Sequence, residues 1–196
     1  EAVRDSLELL LRSEGLSVAP YASGNAFLAA YDDSMAGCIV LDIRMPGLDG
    51  MGLQKALLER GAMLPIIFVT GHGDVPLAVE AMKLGAVDFI QKPYREQDLL
   101  DKIRIALEQD RKQRELLGEQ HEIIRRIESL TPREREIMDR MIAGQANKVI
   151  AIELDISQRT VEIHRSRVMH KMGTHSLAHL VRMFMSVKDR LGHRDA

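Results

Sequence analysis

Tryptophan is absent from the 196 residues, and three tyrosines and four phenylalanines bring the aromatics to only 4%. The cores must therefore be built from Leu, Ile, Val, Met and Ala within the 45% of apolar residues. A single cysteine, Cys38, excludes an internal disulfide. It stands in the run CIVL and reads as a buried strand residue rather than a reactive thiol. No run approaches the roughly 20 apolar residues that a membrane helix needs. Glu1, Arg4 and Asp5 interrupt any apolar stretch at the start, so no signal peptide is read there, and the expected compartment is the cytoplasm.

Charge of one sign is also lacking, with 27 Lys and Arg against 29 Asp and Glu, but the balance is uneven along the chain. Residues 1–110 hold 10 basic and 17 acidic side chains, whereas residues 111–196 hold 17 basic and 12 acidic. A polyanionic partner is expected for the second half.

The first half alternates helical and strand patterns. Ala2 to Leu11 carries a helical stripe of Val3, Leu7, Leu10 and Leu11, which Gly15 ends. LSVAPYAS (16–23) reads as a short strand, Asn25 to Tyr31 as a helix, and Cys38 to Leu41 as an apolar strand. Gly50 to Arg60 reads as a helix with Met51, Leu53, Leu57 and Leu58 inward. A strand over Pro65 to Thr70, a helix over Pro76 to Leu84 and a strand over Ala86 to Ile90 follow. Such alternation implies a parallel sheet covered on both faces. From Glu96 to Leu130 no Pro appears and only one Gly, Gly118, so helix is predicted through most of the stretch. Leu99, Leu100, Ile103 and Ala106 should pack on the sheet, and the charged stretch 108–120 reads as a solvated linker helix, with a disordered linker as the alternative. Ile123, Ile124 and Ile127 are candidates to meet a partner helix.

In an open parallel sheet, functional groups collect at the carboxyl ends of the strands. Those ends carry Asp42 after CIVL, Thr70 after PIIFV, and Lys92 just past DFIQ. Each alone is commonplace as a cap or a solvated charge; the three together form a constellation. Asp42 can act as a nucleophile toward phosphorus. Lys92 and a divalent cation can neutralise a transferring phosphoryl group, and the Thr70 hydroxyl can bond its oxygen.

After Thr131-Pro132 four helical patterns follow. Thr131, Pro132 and Glu134 have the arrangement of a capping box, and that helix stops at Gly144. Asn147 is read as the cap of the next helix, with Val149, Ile150, Ile152 and Leu154 on its apolar side. Asp155-Ile156-Ser157 is a tight turn, and Ser157 caps a third helix running to about Met172 with Val161, Val168 and Met172 inward. A basic helix after a three-residue turn is what a major-groove reader requires, although basic helical faces are often merely solvated. His164, His170, His175 and His179 have no cysteine beside them, and they are not read as a zinc site. His72, in GHGD, reads as loop structure.

LDIRMPGLDG and VTGHGDVPLAVEAMKLGAVDFIQKP, with the spacing between them, resemble a receiver domain of the two-component systems, and the nearest likeness is to FixJ-type (NarL/FixJ) regulators. TPREREI, the NKVIA run and ISQRTVEIHRSRVMHKM resemble the LuxR-type helix-turn-helix. The likeness implies that Asp42 is the phosphoacceptor, Thr70 the switch hydroxyl, Phe89 the switch aromatic and Lys92 the amine that senses the phosphoryl group. It implies a cis Lys92–Pro93 bond, and Mg²⁺ held by Asp42 and the Arg44 backbone carbonyl. On DNA, Lys148, Thr160, Arg167 and Lys171 would meet phosphates, while Glu162, Ile163, Arg165 and Ser166 would face bases. Glu162 stands where relatives often carry Lys, which alters the expected base preference. Receivers also begin with a strand ending in an acidic pair that holds the magnesium. Glu1 aligns just after that pair, so a longer protein is expected, and without that strand LSVAPYAS would lack its hydrogen-bonded neighbour.

The expected architecture is an α/β flavodoxin-like receiver over 1–108, a linker helix over 109–128, and an all-α LuxR-type domain over 129–193. The expected partners are a sensor histidine kinase, promoter DNA, RNA polymerase and, on phosphorylation, a second copy of the chain. The implied role is control of transcription, by activation or by repression, rather than enzymatic turnover. An Asp-nucleophile phosphatase would not need residues 129–196. A regulator gated by an acyl ligand would need an aromatic-lined pocket, for which the first half offers only Tyr21, Phe27, Tyr31, Phe68, Phe89 and Tyr94.

Overall fold

The computed structural model of the chain describes residues 2–71 and 75–192; His72 lies outside them. The chain divides into two compact units, Glu1–Arg114 and Glu115–Ala196.

The first unit runs α1 (Ala2–Ser13), α2 (Gly24–Ala30), β1 (Ile39–Asp42), α3 (Gly50–Glu59), β2 (Ile66–Thr70), α4 (Val75–Lys83), β3 (Asp88–Gln91) and the first part of α5 (Glu96–Glu128). The strands form a parallel sheet in the order β1-β2-β3, with Asp42 opposite Val69 and Thr70 opposite Gln91. All five residues of β2 are buried, because a central parallel strand is covered on both faces. Its side chains alternate between two cores. Ile66 and Phe68 join Phe27, Leu41, Met51, Leu53 and Leu57, whereas Ile67 and Val69 join Leu11, Ile90, Leu99, Leu100 and Ile103. The few aromatics are used for packing: Phe68 is fully buried, and Phe27 meets Tyr21 edge-on at 5.1 Å.

Two expectations for this unit fail. LSVAPYAS is not a strand: no described strand lies beside it, and a strand exists only through ladder hydrogen bonds. Leu16 and Val18 nevertheless pack half-buried on the sheet. In α3, Leu58 is 48% exposed and Gln54 takes the inward place at 1%. Gln54 lies about 60° from Leu57 around the helix, whereas Leu58 lies 100° beyond it. Its amide nitrogen donates from Nε2 to the Ala81 carbonyl of α4 at 3.0 Å, while its Oε1 is buried without a partner. Cys38 is half-buried before β1, and burial, followed by the nearby Asp110 charge, pushes its thiol up to about 11, so it stays protonated at neutral pH.

The second unit holds the far end of α5 with α6 (Pro132–Ile142), α7 (Asn147–Glu153), α8 (Gln158–Met172) and α9 (Leu177–Gly192). Ile124 and Ile127 are buried with Ile137, Met138, Met141, Ile150, Val161, Val168, Met172, Leu180 and Val187 in a core of its own. The capping box of Thr131 and Glu134 is formed in full. Thr131→Ala should therefore lower the melting free energy of this unit by about 1 kcal/mol in a denaturant titration.

Asn147 is the first residue of α7 rather than its cap; Ala146 takes the cap position and no side chain bonds there. Only Ile150 and Ala151 of α7 are buried, while Val149 and Ile152 are 43% and 72% exposed. A two-turn helix presents one narrow stripe, here Ile150 and Ala151; Val149 lies 100° before Ile150 and Ile152 100° beyond Ala151, so both turn away from it. The turn into α8 is as expected: Asp155 adopts φ 51°, and Ser157 Oγ accepts from Thr160 N at 3.0 Å.

Candidate functional site

At the carboxyl edge of the sheet, Lys92 Nζ donates to Asp42 Oδ2 at 2.7 Å, and the two side chains are 35% and 36% exposed. The other carboxylate oxygen, Oδ1, accepts the Arg44 backbone N–H at 3.1 Å. Asp42 is thus oriented by one cation and one amide, and it is open to solvent on its remaining side. Lys92 is aimed by its backbone: its N–H bonds to the Thr70 carbonyl at 2.8 Å, and the Lys92–Pro93 peptide is cis. Thr70 is 2% exposed, with its hydroxyl bonded to the Ile90 carbonyl at 3.4 Å. Phe89 is half-buried on the adjoining strand, packed against the α3 and α4 side of the sheet. Gly50 closes the loop after β1. Its N–H bonds to the Ile43 carbonyl at 2.9 Å, and a Cβ there would stand 2.5 Å from the Asp42 carbonyl and 3.0 Å from Ile43 Cα. Any side chain at this position would push the loop away from Asp42.

In the second unit, α8 turns Glu162, Ile163, Ser166 and Arg167 outward, with Thr160, His164 and Arg165 half-buried. Lys148, Arg165 and Arg167 enter no ion pair among the described residues. Lys171, expected among the phosphate contacts, is placed differently. Its Nζ lies 2.7 Å from Glu134 Oε2 and 3.0 Å from the Ser129 carbonyl. Glu134, 3% exposed, is held below its ordinary 4.5 by the Lys171 hydrogen bond first and the Thr131 amide second. A depressed carboxyl contributes stability that is present above its unfolded pKa and is lost as pH falls through the folded one. The second unit should therefore melt lower as pH drops below about 4.5, and Glu134→Gln should flatten that dependence in calorimetry.

No three His, Cys, Asp or Glu side chains gather into a metal cage among the described residues. His179 Nδ1 meets Thr174 Oγ1 at 3.0 Å, and His164 Nδ1 is buried without a partner. No described helix is long and apolar enough to cross a membrane.

Residues 1–104 match the response regulator receiver domain family, and residues 128–184 match the LuxR family of bacterial regulatory proteins. The chain is 48% identical to the transcriptional regulatory protein FixJ of Bradyrhizobium diazoefficiens over 184 residues, which is 94% of this chain and 90% of that protein. It is 45% identical to the response regulator TodT of Pseudomonas putida over 190 residues, covering 97% of the chain and 84% of TodT. The chain belongs to the FixJ-type response regulators. Among solved structures, the response regulator StyR superposes with a TM-score of 0.86 at 41% identity over 94% of this chain and 93% of that one. The chain is thus a DNA-binding regulator of a two-component system, with a parallel-sheet receiver and a helical LuxR-type domain.

Receiver domains of this family generally need Mg²⁺ for phosphorylation. The described residues fit that ion only in part. Asp42 supplies the one carboxylate at the sheet edge, and its two oxygens are engaged by Lys92 and by the Arg44 amide. Magnesium is ordinarily held by one or two carboxylates together with waters and substrate phosphate. Asp42 and, as the likeness implies, the Arg44 carbonyl would be part of such a site rather than the whole of it.

Three contributions escaped sequence reasoning. Gln54 and Asp110 are polar side chains in buried positions, and Arg126 reaches across to another helix. Asp110 sits within a charged run, which gives no sign that it is 6% exposed and bonded to the Gly37 N–H at 2.9 Å.

Proposed function

We propose that Asp42 accepts a phosphoryl group from a sensor histidine kinase and that this modification promotes dimerisation and promoter binding. The supporting observation is the 2.7 Å contact of Lys92 Nζ with Asp42 Oδ2 at the sheet edge, beside the buried Thr70 hydroxyl. An Asp42 oxygen attacks the phosphorus of phosphohistidine. A P–O bond forms, the P–N bond breaks, and the imidazole leaves with a proton from water. Lys92 then pairs with a phosphoryl oxygen, and Thr70 exchanges the Ile90 carbonyl for another. Phe89 fills the space that Thr70 leaves, which alters the face formed by α4, β3 and α5. In this reading the receiver spans 1–108, a linker helix 109–128 and the DNA-binding domain 129–193. The protein acts in the cytoplasm, as a homodimer, and contacts RNA polymerase as an activator. Labelling with acetyl phosphate and mapping the hydroxylamine-sensitive acyl phosphate by mass spectrometry tests the assignment: the modified residue should be Asp42 alone, and a label elsewhere would withdraw it.

On DNA, Lys148, Thr160 and Arg167 take phosphates, and Glu162, Ile163, Arg165 and Ser166 face the bases of two half-sites roughly 10 base pairs apart. Arg167→Ala should weaken all sequences alike and flatten the slope of log affinity against log salt by about 0.9. Glu162→Ala should change preference at one base pair by about 1–3 kcal/mol in a binding-site selection. A uniform loss from Glu162→Ala would remove it from the base-reading set.

A further inference from the structure

The carboxyl ends of two helices in the second unit are each closed by a cation from the other segment. Arg126, near the end of α5, donates from Nη1 to the carbonyl of Met172, the last residue of α8, at 2.9 Å. Glu122, one turn earlier, steadies the same guanidinium through Nε at 3.1 Å. In the opposite direction, Lys171 near the end of α8 donates to the Ser129 carbonyl, just past α5, at 3.0 Å, and to the buried Glu134 at 2.7 Å. The last carbonyls of a helix have no partner within it and carry partial negative charge, so a cation there is favoured twice over. Gly173 makes room for the exchange. It adopts φ 66° as the cap of α8, and a Cβ at that position would run into Arg126 Nη1.

We propose that this crossed pair positions the DNA-reading helix: Arg126 and Lys171 fix where the carboxyl end of α8 stands on its own domain, and neither contacts DNA. The inference rests on α8 being that reading helix. Lys171 is one turn beyond the outward Arg167, yet its ammonium is committed to a carboxylate that is 4% exposed. Moving it to a phosphate would leave the Glu134 charge buried and unpaired, a larger loss than one phosphate contact restores. The two cations act through α8, so losing either shifts the whole reading face rather than removing one contact from it.

The test measures binding of full-length protein to a promoter fragment selected with the wild type, over a series of salt concentrations and well below each variant's melting midpoint. Arg126→Gln and Lys171→Gln should each weaken binding by about three- to tenfold while leaving the salt slope at the wild-type value. Arg126→Lys and Lys171→Arg should recover most of the loss, which a general loosening of the fold would not allow. Arg167→Ala is the phosphate-contact control. If Lys171→Gln flattens the slope as Arg167→Ala does, Lys171 touches a phosphate and the proposal is wrong. Unchanged affinity in both Gln variants also overturns it. If Lys171→Gln fails to fold, Arg126→Gln leaves the Lys171–Glu134 pair intact and decides the matter alone. An Arg167→Ala protein identical to wild type would withdraw the reading of α8 itself, and this proposal with it.

Discussion

Asp42→Asn in the full-length protein should abolish phosphoryl labelling by acetyl phosphate and by a cognate kinase. The amide replaces the carboxylate with almost no change in shape, so the loss is chemical. The Lys92 contact that disappears is an ion pair whose partners are each about one-third exposed, and such pairs contribute about 0–1 kcal/mol. The variant should therefore melt within a few degrees of the wild type while taking up no phosphate. Lys92→Ala should behave differently. The nucleophile remains, and some labelling should persist. The cation that reads the new phosphoryl charge is gone, so labelled protein should no longer dimerise in sedimentation. Wild-type labelling of Asp42→Asn would place the phosphoacceptor elsewhere.

Phe68→Ala should cause the largest loss of stability in the first unit. Phe68 is the central side chain of the central strand; it is fully buried against Leu41, Ile43, Met51 and Leu53, and its ring closes on Gly50 beneath Asp42. Phe-to-Ala changes at such positions cost about 3–5 kcal/mol through lost transfer and the cavity left behind. Against a small domain's stability of about 5–15 kcal/mol, that removes a third or more. The two units have separate cores, so calorimetry should show the receiver transition falling while that of the helical unit stays in place. A loss below 1 kcal/mol would mean that the ring is not the keystone of that core.

The order of elements was legible because hydrophobic period and strand-end residues are local signals. CIVL, PIIFVT and DFIQ lie at or beside the three strands, and Asp42, Thr70 and Lys92 fall at their carboxyl edge. The capping box at Thr131 and the Ser157 cap were legible for the same reason. What was not legible depends on partners distant in sequence. LSVAPYAS has the composition of a strand, but pairing decides whether one forms, and no described strand lies beside it. Gln54 and Leu58 could not be ranked without knowing that the Ala81 carbonyl waits for a donor. Asp110 and Arg114 look like solvated charges in a run of their kind, yet they secure the loop before β1 through Gly37 and Ser34. The resemblance that marked Lys171 as a phosphate contact gave no hint of its commitment to Glu134, which lies 37 residues away.

The central claim is that the state of Asp42 controls DNA binding by the second unit. Its most direct test is the affinity of full-length protein for its promoter fragment, before and after phosphorylation, in the wild type and in Asp42→Asn. Phosphorylation should tighten binding by the wild type by about tenfold or more, within the usual range of coupling between two sites. Asp42→Asn should stay at the unphosphorylated value under the same treatment. Equal affinities for the two wild-type forms, or tightening that survives in Asp42→Asn, would contradict the account.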